Sequence, residues 1–180
     1  MEKLNLSKGQ TLDLNKHSGK ILSKLRVGAG WDPSEDKGDF DLDLWLVPKG
    51  SEPCYFNNMT IPGAKLDKDD RSGSSSDGGA DENIHIDVSG LEKDEYTIIV
   101  NIYDAVSRGQ YFRDVKNIFV EIEDEEAKAV LSSYEVKENG GDNIVLVFGS
   151  LKKNAEGGYE FTAIGEFSAE STEKVVEKYN

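Results

Sequence analysis

The sequence holds a single cysteine, Cys54, so no disulfide forms within one chain and a dithiol redox centre is excluded. Its two histidines, His17 and His85, are far apart in the chain, and the four Cys/His ligands of a structural zinc site are missing. No apolar run approaches the roughly 18 residues of a membrane span, and the N-terminal MEKLNLSKGQ lacks the apolar centre of a secretory signal. A cytoplasmic protein with no integral membrane segment is expected. Basic residues are also in short supply. Against 35 Asp and Glu stand 21 Lys and Arg, a formal net charge of −14, which repels a phosphate backbone and removes nucleic acid from the expected partners.

Signatures of catalysis and nucleotide binding are equally scarce. The glycine-rich GSSSDGG at residues 73–79 lacks the Gly-Lys-Ser/Thr ending of a phosphate-binding loop, and Asp77 within it would repel phosphate. No G-x-S-x-G nucleophile elbow occurs. Paired carboxylates serve glycoside hydrolysis, yet aspartates packed this densely are better explained as hard-cation ligands than as one acid and one base. The expectation is a binding module and not an enzyme.

What the sequence does contain is alternation. In YTIIVNIYD, Tyr96, Ile98, Val100 and Ile102 fall on one face and Thr97, Ile99, Asn101 and Tyr103 on the other, the pattern of a strand buried on both sides. Similar runs occur at Leu25–Ala29, Phe40–Leu44, Ile118–Ile122, Ile144–Phe148 and Tyr159–Ala163. Short strands separated by Gly, Asn and Asp predict an all-β sandwich or barrel, and 180 residues suit one domain over 1–180. AEGG before Tyr159 reads as a hairpin turn. One helix is expected, from Ser168 to Tyr179. The longest stretch without a strand pattern runs from Asn57 to Asp81, and irregular segments of that length are functional or disordered. Cys54 reads as a small buried hydrophobe near Tyr55 and Phe56, and His85 as part of an exposed face with Asn83 and Asp87. Trp31 and Trp45 read as core or interface residues.

Two segments concentrate acid. GWDPSEDKGDFDLDLW carries Asp32, Asp39, Asp41 and Asp43, the last three on one face if the segment is extended. From Asp67 to Glu82 the chain supplies Asp69, Asp70, Asp77, Asp81 and Glu82 among Gly and Ser. Alone, the first is explained as a solvated strand edge and the second as a flexible acidic loop. Together they favour a hard cation, because crowded carboxylates repel unless an ion or water neutralises them. Calcium accepts about 6–8 oxygen ligands in irregular geometry, whereas magnesium demands a tighter octahedron. The EF-hand pattern fails: counting from Asp39, Leu44 and Gly50 stand where Gly and Glu are required, and from Asp69, Ser74 and Ala80 do. A calcium site must come from the loops of a β fold.

LNLSKGQTLDL, VGAGWD, DFDLDLWL, YFNN, the DDRSG…DE stretch, IYDAVSRGQYFRDVKNIFVEI, YEV and VFGSLKKNAEGGYEFTAIG occur in that order over about residues 4–167. In these motifs the chain resembles the TerD family, the calcium-binding domain of tellurite-resistance and general stress-response proteins. The resemblance implies a β-sandwich of two mostly antiparallel sheets with long acidic loops and a short C-terminal helix. It also implies calcium (Ca2+) ligands among Asp32, Asp39, Asp41, Asp43, Asp69, Asp77, Asp81, Glu82 and Asp104. Two departures stand out. The family's glycine-rich TGxGxGDDE is here about two residues longer, with Ala80 at an acidic position. Glu166-Phe167-Ser168 and a charged tail replace a glycine-rich C-terminal stretch. The function implied is a calcium-binding stress-response sensor or scaffold that acts through other stress-response or membrane-associated proteins. The alternative is a calcium-dependent adaptor at the inner membrane surface, the ion bridging anionic headgroups to loops at one end of the sandwich.

Overall fold

The computed structural model describes residues 2–32, 39–67 and 79–180. Within them the chain runs through β1 (Leu4–Leu6), β2 (Thr11–Asp13), α1 (Leu14–Ser18), β3 (Lys24–Asp32), β4 (Leu42–Pro48), β5 (Thr60–Ile61), β6 (Ala64–Leu66) and β7 (Glu82–Asp87). It continues through β8 (Glu95–Ile102), α2 (Ala105–Arg108), β9 (Lys116–Asp124), β10 (Ala129–Glu135), β11 (Val145–Lys153), β12 (Tyr159–Ser168) and α3 (Thr172–Tyr179). The described strands form two sheets, ordered β1-β10-β9-β3-β7-β6-β5 and β2-β12-β11-β8-β4. All pairs are antiparallel except β1 with β10. This is the all-β sandwich with a short C-terminal helix that the sequence predicts.

Period-two patterning puts Leu25, Val27 and Ala29 of β3, Ile84 and Ile86 of β7, and Val120 and Ile122 of β9 into the space between the sheets. Leu42, Leu44 and Leu46 of β4 and Ile98 and Val100 of β8 meet them from the other side. Strand β8 lies between β11 and β4 and is buried on both faces, as its double apolar pattern requires. Its outward Ile99 joins Val47, Val145 and Val147 in a second apolar cluster, covered by Val175 of α3. Ser171 caps α3, its hydroxyl accepting the Lys174 N–H at 3.3 Å. The carbonyl of Asn180 accepts from the Gly50 N–H at 2.9 Å, so the tail is fixed at both ends.

Several expectations need correction. The stretch from Asn57 to Asp81 is not wholly irregular, because Thr60–Ile61 and Ala64–Leu66 extend the larger sheet beside β7. The C-terminal helix starts at Thr172, since Ser168 still pairs with Val145 at the end of β12. Phe40 is core but precedes β4. His85 is half-buried, with Nδ1 2.5 Å from Glu125 and Nε2 3.4 Å from Asp67. The AEGG turn forms as read, with Gly157 at φ +87° and Asn154 N–H donating to Gly158 O at 2.8 Å.

Cys54 is fully buried, bridging by its backbone to Leu46 of β4, and burial pushes its thiol up to about 11. Since the thiolate is the reactive form, a rise from 9.0 to about 11 lowers its population at pH 8 roughly 100-fold. Native protein should therefore react with a disulfide reagent at least that much more slowly than unfolded protein; comparable rates would mean that Cys54 is accessible.

Tyr134 points its hydroxyl against Gly165, where φ is +69° and a Cβ would collide with the phenol oxygen. Among the described residues that buried hydroxyl has no hydrogen-bond partner. Burial is the main cause raising its pKa, with Glu138 adding to it, so the phenol stays neutral. Removing an unsatisfied buried hydroxyl relieves its desolvation, so Tyr134→Phe should leave stability unchanged or raise it by up to about 1 kcal/mol in urea titration. A loss of that size would show that the hydroxyl is bonded.

Candidate functional site

One end of the sandwich gathers carboxylates. Asp41 (8% exposed), Asp43 (3%), Asp81 (2%) and Glu82 (1%) are all buried, which is rare for acids that are not paired, hydrogen-bonded or metal-bound. At the same end β3 closes at Asp32 and β6 at Leu66, with the next residue, Asp67, donating its N–H to Asn83 O at 2.9 Å. Segments 33–38 and 68–78 connect to the described chain here. In sequence they carry Asp36, Asp69, Asp70 and Asp77. The candidates Asp69 and Asp77 therefore lie outside the described residues.

Glu82 opens β7 and shares the inward parity of Ile84 and Ile86, so its side chain enters the space between the sheets. There Oε2 accepts the N–H of Leu44 at 2.8 Å. The reason for this bond lies in the sheet. β4 is a terminal strand, and its Leu46 N–H points away from β8 to Cys54 O. The Leu44 N–H, two residues earlier, points the same way and needs an acceptor from outside its sheet. Asp81 is fixed by a reciprocal pair with β3: its N–H donates to Ala29 O at 2.8 Å, and Oδ2 accepts the Trp31 N–H at 2.9 Å. The Trp31 indole in turn donates to Phe40 O at 3.2 Å, bringing the start of the DFDLD segment beside Asp81.

Parity separates the remaining candidates. Asp43 stands opposite Asn101 in the β4–β8 register and shares its face with Trp45, whose indole N–H donates to Asn101 Oδ1 at 2.6 Å. That is the outer face of the five-stranded sheet, away from Glu82. Asp104 lies on the same side, in the left-handed region at φ 51°, its Oδ1 accepting from the Ser107 hydroxyl at 2.7 Å. Asp43 and Asp104 both line a groove of about 560 Å³ with Trp45, Tyr55, Tyr103 and Glu173. Asp32 and Asp39 are exposed; Asp32 accepts from the Asn117 amide, and the Asp39 carbonyl accepts from Gln110 Nε2 at 2.9 Å. Reading Asp39, Asp41 and Asp43 as one solvated strand edge fails, because the strand starts at Leu42 and both Asp41 and Asp43 are buried.

The donor set consists of hard oxygens, the chemistry that calcium prefers. Among the described residues, no three His, Cys, Asp or Glu side chains come close enough together to hold a metal ion by themselves. Sequence reasoning missed the backbone groups that anchor the acids, the N–H groups of Trp31 and Leu44. It also missed Gln110, which lies within the RGQYF motif and clamps the start of the acidic segment.

A family profile described as the TerD domain matches residues 2–179. The chain belongs to the TerD family. It is 31% identical to the General stress protein 16U of Bacillus subtilis (strain 168), covering 90% of this chain and 89% of that protein. It is 29% identical to the tellurium resistance protein TerD of Serratia marcescens, covering 98% and 96%. A Streptomyces coelicolor A3(2) homologue of the telluride resistance protein TerD superposes with a TM-score of 0.68 at 18% identity, covering 86% of this chain and 95% of that one, which supports the fold. The TerD match extends through α3, so the charged tail that replaces the expected glycine-rich stretch lies inside the family domain.

If Glu82 ties the sheets together in this TerD domain, the loss should scale with loss of the acceptor. Glu82→Ala would leave the Leu44 N–H buried without its acceptor and open a void, at about 2–4 kcal/mol by chemical denaturation. Glu82→Gln keeps a carbonyl oxygen for that N–H and should lose less than half as much. Equal losses would remove the hydrogen bond as the cause.

Proposed function

We propose that this TerD-family chain is a calcium-binding module of a tellurium-resistance or general stress response, acting as a sensor or scaffold through protein partners rather than as a catalyst. The observation that carries the proposal is the burial of Asp41, Asp81 and Glu82 at the end where segments 33–38 and 68–78 attach. A divalent ion there would offset the mutual repulsion of the acids and the cost of desolvating them. Asp41, Asp81 and Glu82 are the first donors assigned. Asp69 and Asp77 would add to them from the acidic segment, and Asp32 and Asp39 from the exposed rim. Asp43 and Asp104 form a separate acidic group on the outer face of the five-stranded sheet.

Among the described residues no helix is long and apolar enough to cross a membrane. We place the module in the cytoplasm, meeting its partners by surface contact. The relatives named for tellurium resistance and general stress support the biological setting. In this proposal the ion orders a binding surface and no chemistry is done on tellurite.

Calcium that binds only the folded state at 100 times its dissociation constant adds about 2.7 kcal/mol per site. For a chain of this size each kcal/mol moves the melting midpoint by about 2–4 °C, giving a rise of roughly 5–11 °C. Chelator should abolish the rise, equimolar magnesium should give a smaller one, and Asp41→Asn should reduce it while leaving the calcium-free protein at least as stable as the parent. A midpoint indifferent to calcium, with no heat on calorimetric titration, would leave the buried acids as structural groups alone.

A further inference from the structure

The outer face of the five-stranded sheet holds a feature that the calcium reading does not use. Its groove of about 560 Å³ lies between the first turn of α3, the Tyr55–Asn57 turn and the β8–α2 connection, within the usual range for a ligand site. One wall is a continuous aromatic stack. Trp45 lies flat on Tyr55, with centroids 3.9 Å apart and planes at 6°; Tyr55 meets Phe56 edge-on at 5.4 Å, and Phe56 meets Tyr103 at 5.8 Å. The indole bond to Asn101 pins the inner end. At the outer end apolar surface faces solvent, with Tyr103 42% and Val106 73% exposed.

The charge is one-sided. Asp43, Asp104 and Glu173 line the groove, and among the described residues no Lys, Arg or His does. By contrast, the larger cleft of about 780 Å³ beside β1 and β10 mixes Lys3, Lys8 and Lys137 with Glu121, Glu135 and Glu138, and so selects neither sign. Aromatic faces together with carboxylates suit a planar cation: a guanidinium stacks on a ring while its N–H fork meets an acid. The Tyr103 ring already takes such a contact at the rim, from Arg108, whose guanidinium carbon lies 5.6 Å from the ring centroid. Rigid aromatics at the centre of a polar rim, paired with arginine, are also the usual anchors of protein interfaces.

We propose that this groove receives an arginine side chain from a partner protein, with Glu173 and Asp104 flanking the guanidinium and Tyr103 and Trp45 forming the wall it packs on. The proposal gives the partner-binding half of the calcium-module reading a location on the molecule, and it does not need the ion.

The test uses the full chain, labelled with 15N, titrated with N-acetyl-argininamide and with its neutral isostere N-acetyl-citrullinamide, in calcium and again in chelator. The arginine probe should shift the Trp45 indole, Tyr103 and Ser171 signals saturably under both conditions, and the citrulline probe should bind about tenfold more weakly or not at all. Tyr103→Leu and Glu173→Gln should each weaken arginine binding several-fold. Neither residue belongs to the calcium donors, so both variants should keep the calcium-induced rise in melting midpoint if the calcium reading holds. Glu156→Gln, which removes the same charge from a remote turn, should bind like the parent. Equal affinity for both probes, shifts spread over the acidic surface, or an effect of Glu156→Gln as large as that of Glu173→Gln would reduce the groove to general attraction by a chain of net charge −14 and overturn the proposal.

Discussion

A carboxylate placed between two apolar sheets has to be given donors, and the acidic end of this sandwich is built round that requirement. Glu82 extends from the first residue of β7 to the free N–H side of β4, so one ionisable side chain connects the seven-stranded sheet to the five-stranded one. The bond serves two needs at once, because an edge-strand amide shut away from water needs an acceptor as much as the carboxylate needs a donor. Asp81 likewise accepts a backbone N–H, that of Trp31 within the seven-stranded sheet, and the Trp31 indole reaches on to Phe40. The DFDLD segment is thus held by backbone and side-chain contacts from β3, β7 and Gln110 before any ion is considered.

The same physics explains why the two faces of β4 serve different purposes. Leu42, Leu44 and Leu46 fill the space between the sheets, whereas Asp43, Trp45 and Val47 look outward. Helix α3 covers the Val47 end of that outer face and leaves the Asp43 end as a groove walled by aromatics. Asp43 on the outer face and Glu82 between the sheets experience different surroundings, because successive side chains on a strand point to opposite sides and the two acids fall on opposite faces of their strands. The proposed ion site and the proposed partner groove therefore share no donors.

Much of the fold was legible from the amino acids. Tyr96–Ile102, apolar on both faces, could only be an interior strand, and the alternation at Leu25–Ala29 and Ile118–Ile122 fixed which side chains enter the core, since period two leaves no other assignment once one face is apolar. Small elements were less visible. Thr60–Ile61 and Ala64–Leu66 have too few residues to show a period; Ala64–Leu66 is a strand because β7 offers it a hydrogen-bonding edge, and it offers one in turn to Thr60–Ile61. The start of α3 was displaced for a related reason: Ser168 has no strong local preference, and pairing with Val145 keeps it in the sheet.

For the candidate site, residue order alone shows the chemistry on offer: oxygen-bearing side chains in two acidic segments, one cysteine, a strong negative charge and the ordered motifs of the TerD family. The tertiary structure alone decided which acids are shielded from water and in which direction they face. Asp39, Asp41 and Asp43 share a parity in sequence, yet Asp39 is exposed, Asp41 is buried and Asp43 turns to the outer groove. Alternation along a strand is a local property of the backbone and can be read from residue order. Burial, and the partner given to an edge amide such as that of Leu44, depend on a strand some 40 residues away in sequence, since Leu44 and Glu82 are 38 positions apart and meet only when the two sheets pack.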